Sequence, residues 1–264
     1  MRILITNDDG IGAPGLGVLT EIATEIAGPG GEVWTVAPAF EQSGVGHCIN
    51  YVKPSMVSKI ADRRFALEGS PADCVLAGIG ALVKGQIDLV LSGVNRGNNS
   101  GENTVYSGTI GAAMEAALQG KPSIALSQFY GPKNVELSDP FEAARHHGAS
   151  LVRHLLAQAP WGGETYKLFY NVNFPPVPAA GVKGFAAVGQ GYRGDGRMGV
   201  HPQTSPSGRS YLWIGGSAQG EMTAPGTDVR ANMEGWVSVT PMRCDLTDAD
   251  ALDQLRQAMP DYPG

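Results

Sequence analysis

Cysteine is scarce: three in 264 residues, Cys48, Cys74 and Cys244, none in a CxxC or Cys/His zinc spacing. That excludes a disulfide framework and a structural zinc, and the simplest reading is buried thiols in a reducing compartment. No apolar run approaches the roughly 20 residues that span a bilayer. The opening MRILITNDDG reaches two acids within ten residues, too early for the apolar stretch of a secretory signal. The expectation is a cytoplasmic chain with no membrane attachment. Positive charge is short as well, with 19 Lys and Arg against 25 Asp and Glu and a net charge of −6. A surface built to hold long nucleic acid is therefore excluded, since that affinity comes from many Lys and Arg contacts to phosphates. A small anionic substrate is not, because a bound cation can supply local positive charge.

Several catalytic signatures are missing too. There is no GxSxG nucleophile elbow. His47, His146, His147, His154 and His201 form no HExxH pair, and Gly120-Lys121 is followed by Pro122 without the earlier glycine of a Walker A loop. His146, His147 and His154 read as a solvated helix face, whereas His47 follows Ser43-Gly44 and is placed to approach the same loops. Gly10 to Gly15 (GIGAPG) does match GxGxxG directly after a strand-like run, which keeps a dinucleotide-binding domain in contention. Against it, the two preceding carboxylates would repel a pyrophosphate, and Ala37-Pro38-Ala39 stands where a ribose-binding acid is expected. A second match, Gly194 to Gly199, has no preceding strand and reads as chance.

What remains is ordinary globular composition, 42% hydrophobic and 17% charged, with 37 glycines and 18 prolines that imply many shaped loops. The length suits one large α/β domain, or a domain of about 150 to 200 residues with an appendage. Arg2 to Thr6 reads as a strand, followed by the acidic turn Asn7-Asp8-Asp9-Gly10 and a helix from Gly15 to Ala27 with apolar residues at helical spacing. Glu32 to Val36 and Ile87 to Leu91 read as buried strands. Between them Ser70-Pro71 opens a helix reaching Leu82. Thr109 to Leu118 reads as a helix, Ser123 to Leu126 as a strand, Pro140 to Gln158 as a helix and Lys167 to Val172 as a strand. Strands alternating with helices predict an α/β fold with a mostly parallel sheet covered on both faces. Residues 1–175 form the expected core. In 176–264, an irregular excursion over 189–226 carries the strand-like Ser210 to Ile214, and Trp236 to Thr240 and Thr247 to Met259 then return as a strand and a helix.

In such a sheet ligands sit outside the carboxyl ends of the strands, where Asp8 and Asp9 fall. Paired carboxylates there raise one another's pKa unless a hard cation such as Mg²⁺, Mn²⁺ or Ca²⁺ is present. A solvated acidic turn is the alternative. Ser43 and Gly44 follow the second strand, and SGVNRGNNSG puts Asn95 and Asn98 after the third, so neutral oxygens stand ready to complete a metal shell. Ser107-Gly108-Thr109 leads straight into a helix, which suits a phosphate cradle and helix capping equally. Tyr106, Phe129 and Tyr130 are placed either to stack on a base or to pack in the core.

Taken together, ILITNDDGI (3–11), VAPxxxQSG (36–44), SGVNRGNN (92–99) and YSGTIGAAMEAA (106–117) resemble the SurE family, the stationary-phase survival protein E nucleotidases. GSPADCV (69–75), NVNFP (171–175) and VSVTPM (237–242) extend the likeness along nearly the whole chain. The resemblance implies a Rossmann-like three-layer α/β/α core with an extended C-terminal arm used in homodimer or homotetramer assembly. It also implies 5′- or 3′-nucleotidase activity on nucleoside monophosphates with one Mn²⁺ or Mg²⁺ per subunit, a site Ca²⁺ could also fill. Carried over by position, Asp8, Asp9, Ser43 and Asn95 would hold the metal, with Asp8, Asp9 and Asn95 in the chemistry. Gly44, Asn98, Ser107, Gly108 and Thr109 would hold the phosphate. Ala39, Asn103 and Ala116 depart from the Asp, Asp and Gly expected there, which bears on substrate preference more than on chemistry. A nucleotide sensor using the GIGAPG loop and a structural oligomer with a vestigial metal site are the competing expectations.

Overall fold

A computed structural model describes residues 1–131, 133–163, 165–194, 198–215 and 219–259. The first strand, β1 (Arg2–Thr6), is apolar throughout because both its faces are covered: Ile3, Leu4 and Ile5 have no exposed surface. Pro14 stands in the first turn of α1 (Pro14–Ala27), where its missing N–H costs nothing, and the helix leads to β2 (Glu32–Pro38). A short edge hairpin follows, β3 (Val57–Ala61) and β4 (Arg64–Leu67). Ser70 and Asp73 form a reciprocal capping box at the start of α2 (Pro71–Ala77), whose continuation over Gly78–Leu82 widens to a π-helical turn. Then come β5 (Leu89–Arg96), α3 (Gly108–Leu118), β6 (Ser123–Gln128), α4 (Glu142–Gln158) and β7 (Phe169–Phe174). The remainder comprises β8 (Phe185–Ala187), β9 (Gly199–Thr204), β10 (Ser210–Gly215), α5 (Asp228–Met233), β11 (Val237–Met242) and α6 (Ala249–Ala258).

Nine strands form one sheet in the order β3-β4-β2-β1-β5-β6-β7-β11-β8, and β9 and β10 pair separately. All pairings from β4 to β7 are parallel, and β3–β4 and β7–β11 are antiparallel. Ile3 and Ile5 pack with α1 and α4 on one face, while Leu4 packs with α2 and α3 on the other. The layers are α/β/α. The chain winds from β1 outward through β2 and β4, then returns to β5 on the other side of β1. The crevice at the carboxyl ends of β1 and β5 is thus the switch point where this architecture binds ligands.

Two expectations change. The strand expected at Ile87 to Leu91 runs instead from Leu89 to Arg96, so Asn95 belongs to a strand end rather than a loop. The closing strand returns to the sheet as expected, as β11, with β8 added beyond it, whereas the closing helix α6 contains no buried residue and does not return to the core. Among the described residues no helix is long and apolar enough to cross a membrane.

Candidate active site

Asn7 closes the acidic turn by donating from Nδ2 to the Gly10 carbonyl at 2.9 Å, and Gly10 takes a positive φ of 98° that its lack of a Cβ allows. The turn directs Asp8 inward, where it is 4% exposed. There it accepts the Thr109 hydroxyl at 2.6 Å and the Thr109 amide at 3.2 Å, at the positive end of α3. Gly108 makes this approach possible, since a Cβ on it would lie 2.9 Å from Asp8 Cβ and 3.1 Å from Pro71 Cγ. Ser107 caps the helix by accepting the Ile110 amide at 3.1 Å. Burial pushes the Asp8 carboxyl up to about 6, against the Thr109 hydroxyl and with help from the charge of Asp9. Asp9 is also raised, by burial first, although the Arg96 amide at 3.0 Å and the Arg96 charge oppose it. Both acids are poorly compensated by protein.

On the facing strand, Gly93 packs directly against β6: a Cβ there would meet the Leu126 carbonyl oxygen at 2.1 Å. The β5–β6 register shifts between Ser92 and Asn95, just before the strand end that carries Asn95. Asn95 donates from Nδ2 to the Gly97 carbonyl at 3.0 Å, so its oxygen is the atom left for a cation. Ser43 donates its hydroxyl hydrogen to Glu41 at 2.8 Å, which keeps its lone pairs available. Asn98 is buried and donates to Gln219 at 3.1 Å.

Seven of the nine residues singled out from sequence, Asp8, Asp9, Ser43, Gly44, Asn95, Asn98 and Ser107, line one cleft of about 200 Å³. Gly108 and Thr109 lie behind Asp8, and Thr109 spends its donors on that carboxylate. Sequence reasoning missed Glu41, Arg96 and Asn99 on the cleft wall, and Met198 from the excursion. Arg96 was within reach, as the one cation in SGVNRGNN. Among the described residues no three His, Cys, Asp or Glu side chains cluster as a metal site, so any cation relies on two carboxylates with amide and hydroxyl oxygens.

His47 pairs with the buried Glu115 of α3 at 2.7 Å and lines a different, mostly apolar cavity of about 640 Å³, with Ile110, Met114 and Phe169. That cavity is larger but contains neither Asp8 nor Asp9. Tyr106 lines the acidic cleft, Phe129 is buried, and Tyr130 packs edge-on against Phe141 with ring centroids 5.5 Å apart. In GIGAPG, Gly15 is a packing residue, since a Cβ would meet the Val94 carbonyl oxygen at 1.9 Å.

The family model described as Survival protein SurE matches residues 3–196. A Ruegeria pomeroyi protein named 5′-nucleotidase SurE is 62% identical over 260 residues, covering 98% of this chain and 100% of that protein. A Jannaschia sp. protein of the same name is 64% identical over 263 residues, with 98% and 100% coverage. The crystal structure of SurE from Aquifex aeolicus superposes with a TM-score of 0.79 at 34% identity, covering 98% of this chain and 100% of that one. With relatives this close along its whole length and an acid pair at the sheet's switch point, this chain belongs to the SurE family.

Proposed function

We propose that this protein is a 5′-nucleotidase, a phosphatase that removes phosphate from nucleoside 5′-monophosphates, with 3′ esters as further substrates and one divalent cation per subunit. The observation that carries the reading is the meeting of Asp8 and Asp9 with the small-residue start of α3 in a single polar cleft. The relatives named 5′-nucleotidase SurE support the same substrate class.

The cleft fits a hard cation. Two carboxylates raised by burial, the Asn95 amide oxygen and the Ser43 hydroxyl are oxygen donors suited to Mn²⁺ or Mg²⁺, and Ca²⁺ suits the same set. When bound, such a cation polarises the phosphoryl oxygens and lowers the pKa of an attacking water. The chain does the rest. Asp8, fixed by Thr109, is the rigid ligand, and the more open Asp9 is the carboxylate assigned to orient the water and take its proton. Gly44, Asn98 and the Ser107-Gly108 start of α3 hold the phosphate, where the helix dipole and backbone N–H groups favour developing negative charge.

Phosphate release from a panel of nucleoside 5′- and 3′-monophosphates, with Mn²⁺, with Mg²⁺ and with a chelator, tests this. Chelator-sensitive release from the 5′ esters is expected. Absence of release from every substrate would reject the enzyme and favour a nucleotide sensor. A homo-oligomer in the cytoplasm belongs to the same reading: the β9–β10 hairpin exposes Tyr211, Leu212, Trp213 and Ile214, and a second copy is the proposed cover. Light scattering during size exclusion gives the assembly, and a monomer would remove that part.

A further inference from the structure

Arg193 is the largest fully buried side chain among the described residues, yet it belongs to the excursion whose hairpin is exposed. Burying a guanidinium is costly unless it is paired, and even paired it contributes little net stability. Among the described residues its side-chain hydrogen-bond partners all lie between Asn98 and Glu102, after β5. Nη1 donates to the Ser100 carbonyl and to Glu102, each at 3.0 Å, and Nη2 donates to Ser100 Oγ at 3.1 Å and to Asn98 Oδ1 at 3.2 Å. Nε is buried without a partner among the described residues, so the group is not placed to maximise its own hydrogen bonding. The loop is moulded to it: a Cβ on Gly101 would stand 2.9 Å from Arg193 Nη1.

The consequence falls on Asn98. Its Oδ1 also accepts Ser100 Oγ at 2.8 Å and Asn103 Nδ2 at 3.3 Å. A guanidinium donates only, so a flipped carboxamide would set nitrogen against nitrogen. Nδ2 therefore faces away from Arg193. There it meets Gln219 Oε1 at 3.1 Å, and the same oxygen accepts Asn103 Nδ2 at 2.6 Å. Two amide donors thus converge on one acceptor oxygen, and both Asn98 and Asn103 line the acidic cleft.

We infer that Arg193 is a positioning residue that locks the Asn98 carboxamide nitrogen outward, so that Asn98 and Asn103 together seat a phosphoryl oxygen now replaced by Gln219. The inference rests on the phosphatase reading for its catalytic consequence, but the seat itself is a property of phosphate binding. The excursion then takes part in the site of its own chain.

The test is a double-mutant cycle of Arg193→Lys and Asn98→Ala, read by calorimetric titration with inorganic phosphate and by kcat and KM for a nucleoside 5′-monophosphate. Lysine keeps the charge without the fork. Each single variant should weaken phosphate binding and kcat/KM about 10- to 100-fold, the range for a hydrogen bond to a charged group. The double variant should be no worse than either. Glu102→Gln, which removes the ion pair alone, should leave phosphate affinity unchanged. Losses that multiply in the double variant, or a folded Arg193→Lys protein with unaltered affinity, overturn the inference. If Arg193→Lys does not fold, Asn103→Ala decides: it deletes one of the two converging donors without adding charge, so undiminished phosphate binding would overturn the seat and a loss would support it. Wild-type protein that binds phosphate without hydrolysing any nucleotide would sink the enzyme and leave the cycle decisive by titration; wild-type protein that binds no phosphate would sink the seat.

Discussion

The strands β5 and β10 are built from similar residues and meet opposite fates. Leu89, Val90 and Leu91 are fully buried in the middle of the nine-stranded sheet, while Leu212 and Ile214 are 69% and 72% exposed on a two-stranded ribbon. Apolar content does not decide burial. Neighbours on both faces do, and β5 has α1 on one side and α3 on the other. A lone ribbon is marginal in water and gains most from a cover. The chemistry proposed here sits at the carboxyl ends of the sheet's central strands, and the unfinished surface lies in the region proposed for assembly. Arg193 joins the two regions at the base of the excursion.

Variants from each region separate these roles, beginning with the largest effect. Asp8→Asn should lower phosphate release on the order of 10³-fold, about 4 kcal/mol of barrier. It should not lower the melting temperature, because it removes a charge that burial disfavours. Activity near that of the wild type would take Asp8 out of the mechanism. Leu91→Ala, in the sheet interior, should cost about 2 to 5 kcal/mol in denaturant unfolding. Gly108→Ala forces a Cβ between Asp8 and Pro71 and should destabilise by about 1 to 3 kcal/mol. Its loss of turnover should exceed its loss of stability in proportion, and a fully active Gly108→Ala protein would show that the close approach is not needed. Leu212→Ser on β10 should change the stability of a dissociated chain by less than about 0.5 kcal/mol. Its effect should instead be on assembly, and an unchanged oligomer size would free the hairpin from the interface.

Sequence alone made the acid pair legible because its signal is local: a short apolar strand, an Asn-Asp-Asp-Gly turn, then a helix. The start of α3 was legible for the same reason. Arg193 was not, since nothing in a Gly- and Ser-rich stretch marks a residue as buried, and its partners lie more than 90 positions away. The end of β5 was misplaced because Gly93 reads as a strand terminator, whereas the strand continues through it with a register shift. The edge hairpin β3–β4 escaped notice because β3 is wholly exposed and has no alternating pattern to find. His47 followed Ser43 closely in sequence, but its ring turns to Glu115 and to the other cavity.

The smallest expected effect concerns acid. Burial pushes the Glu102 carboxyl up, but the Arg193 amide and guanidinium outweigh it and hold Glu102 below the usual glutamate value. A carboxyl with a lower pKa folded than unfolded releases its proton more readily in the native state. Its contribution is complete above the unfolded value of about 4.3 and fades as pH falls through the folded one. The carboxylate is partly exposed, so the contribution is under about 1 kcal/mol. Denaturant unfolding of wild type and Glu102→Gln should therefore converge between neutral pH and the acid limb, with the wild-type advantage present at pH 7 and gone below the folded pKa. Absence of any wild-type advantage at pH 7 would mean that Arg193 is held by its Ser100 and Asn98 acceptors alone, with the ion pair contributing nothing to the union of core and excursion.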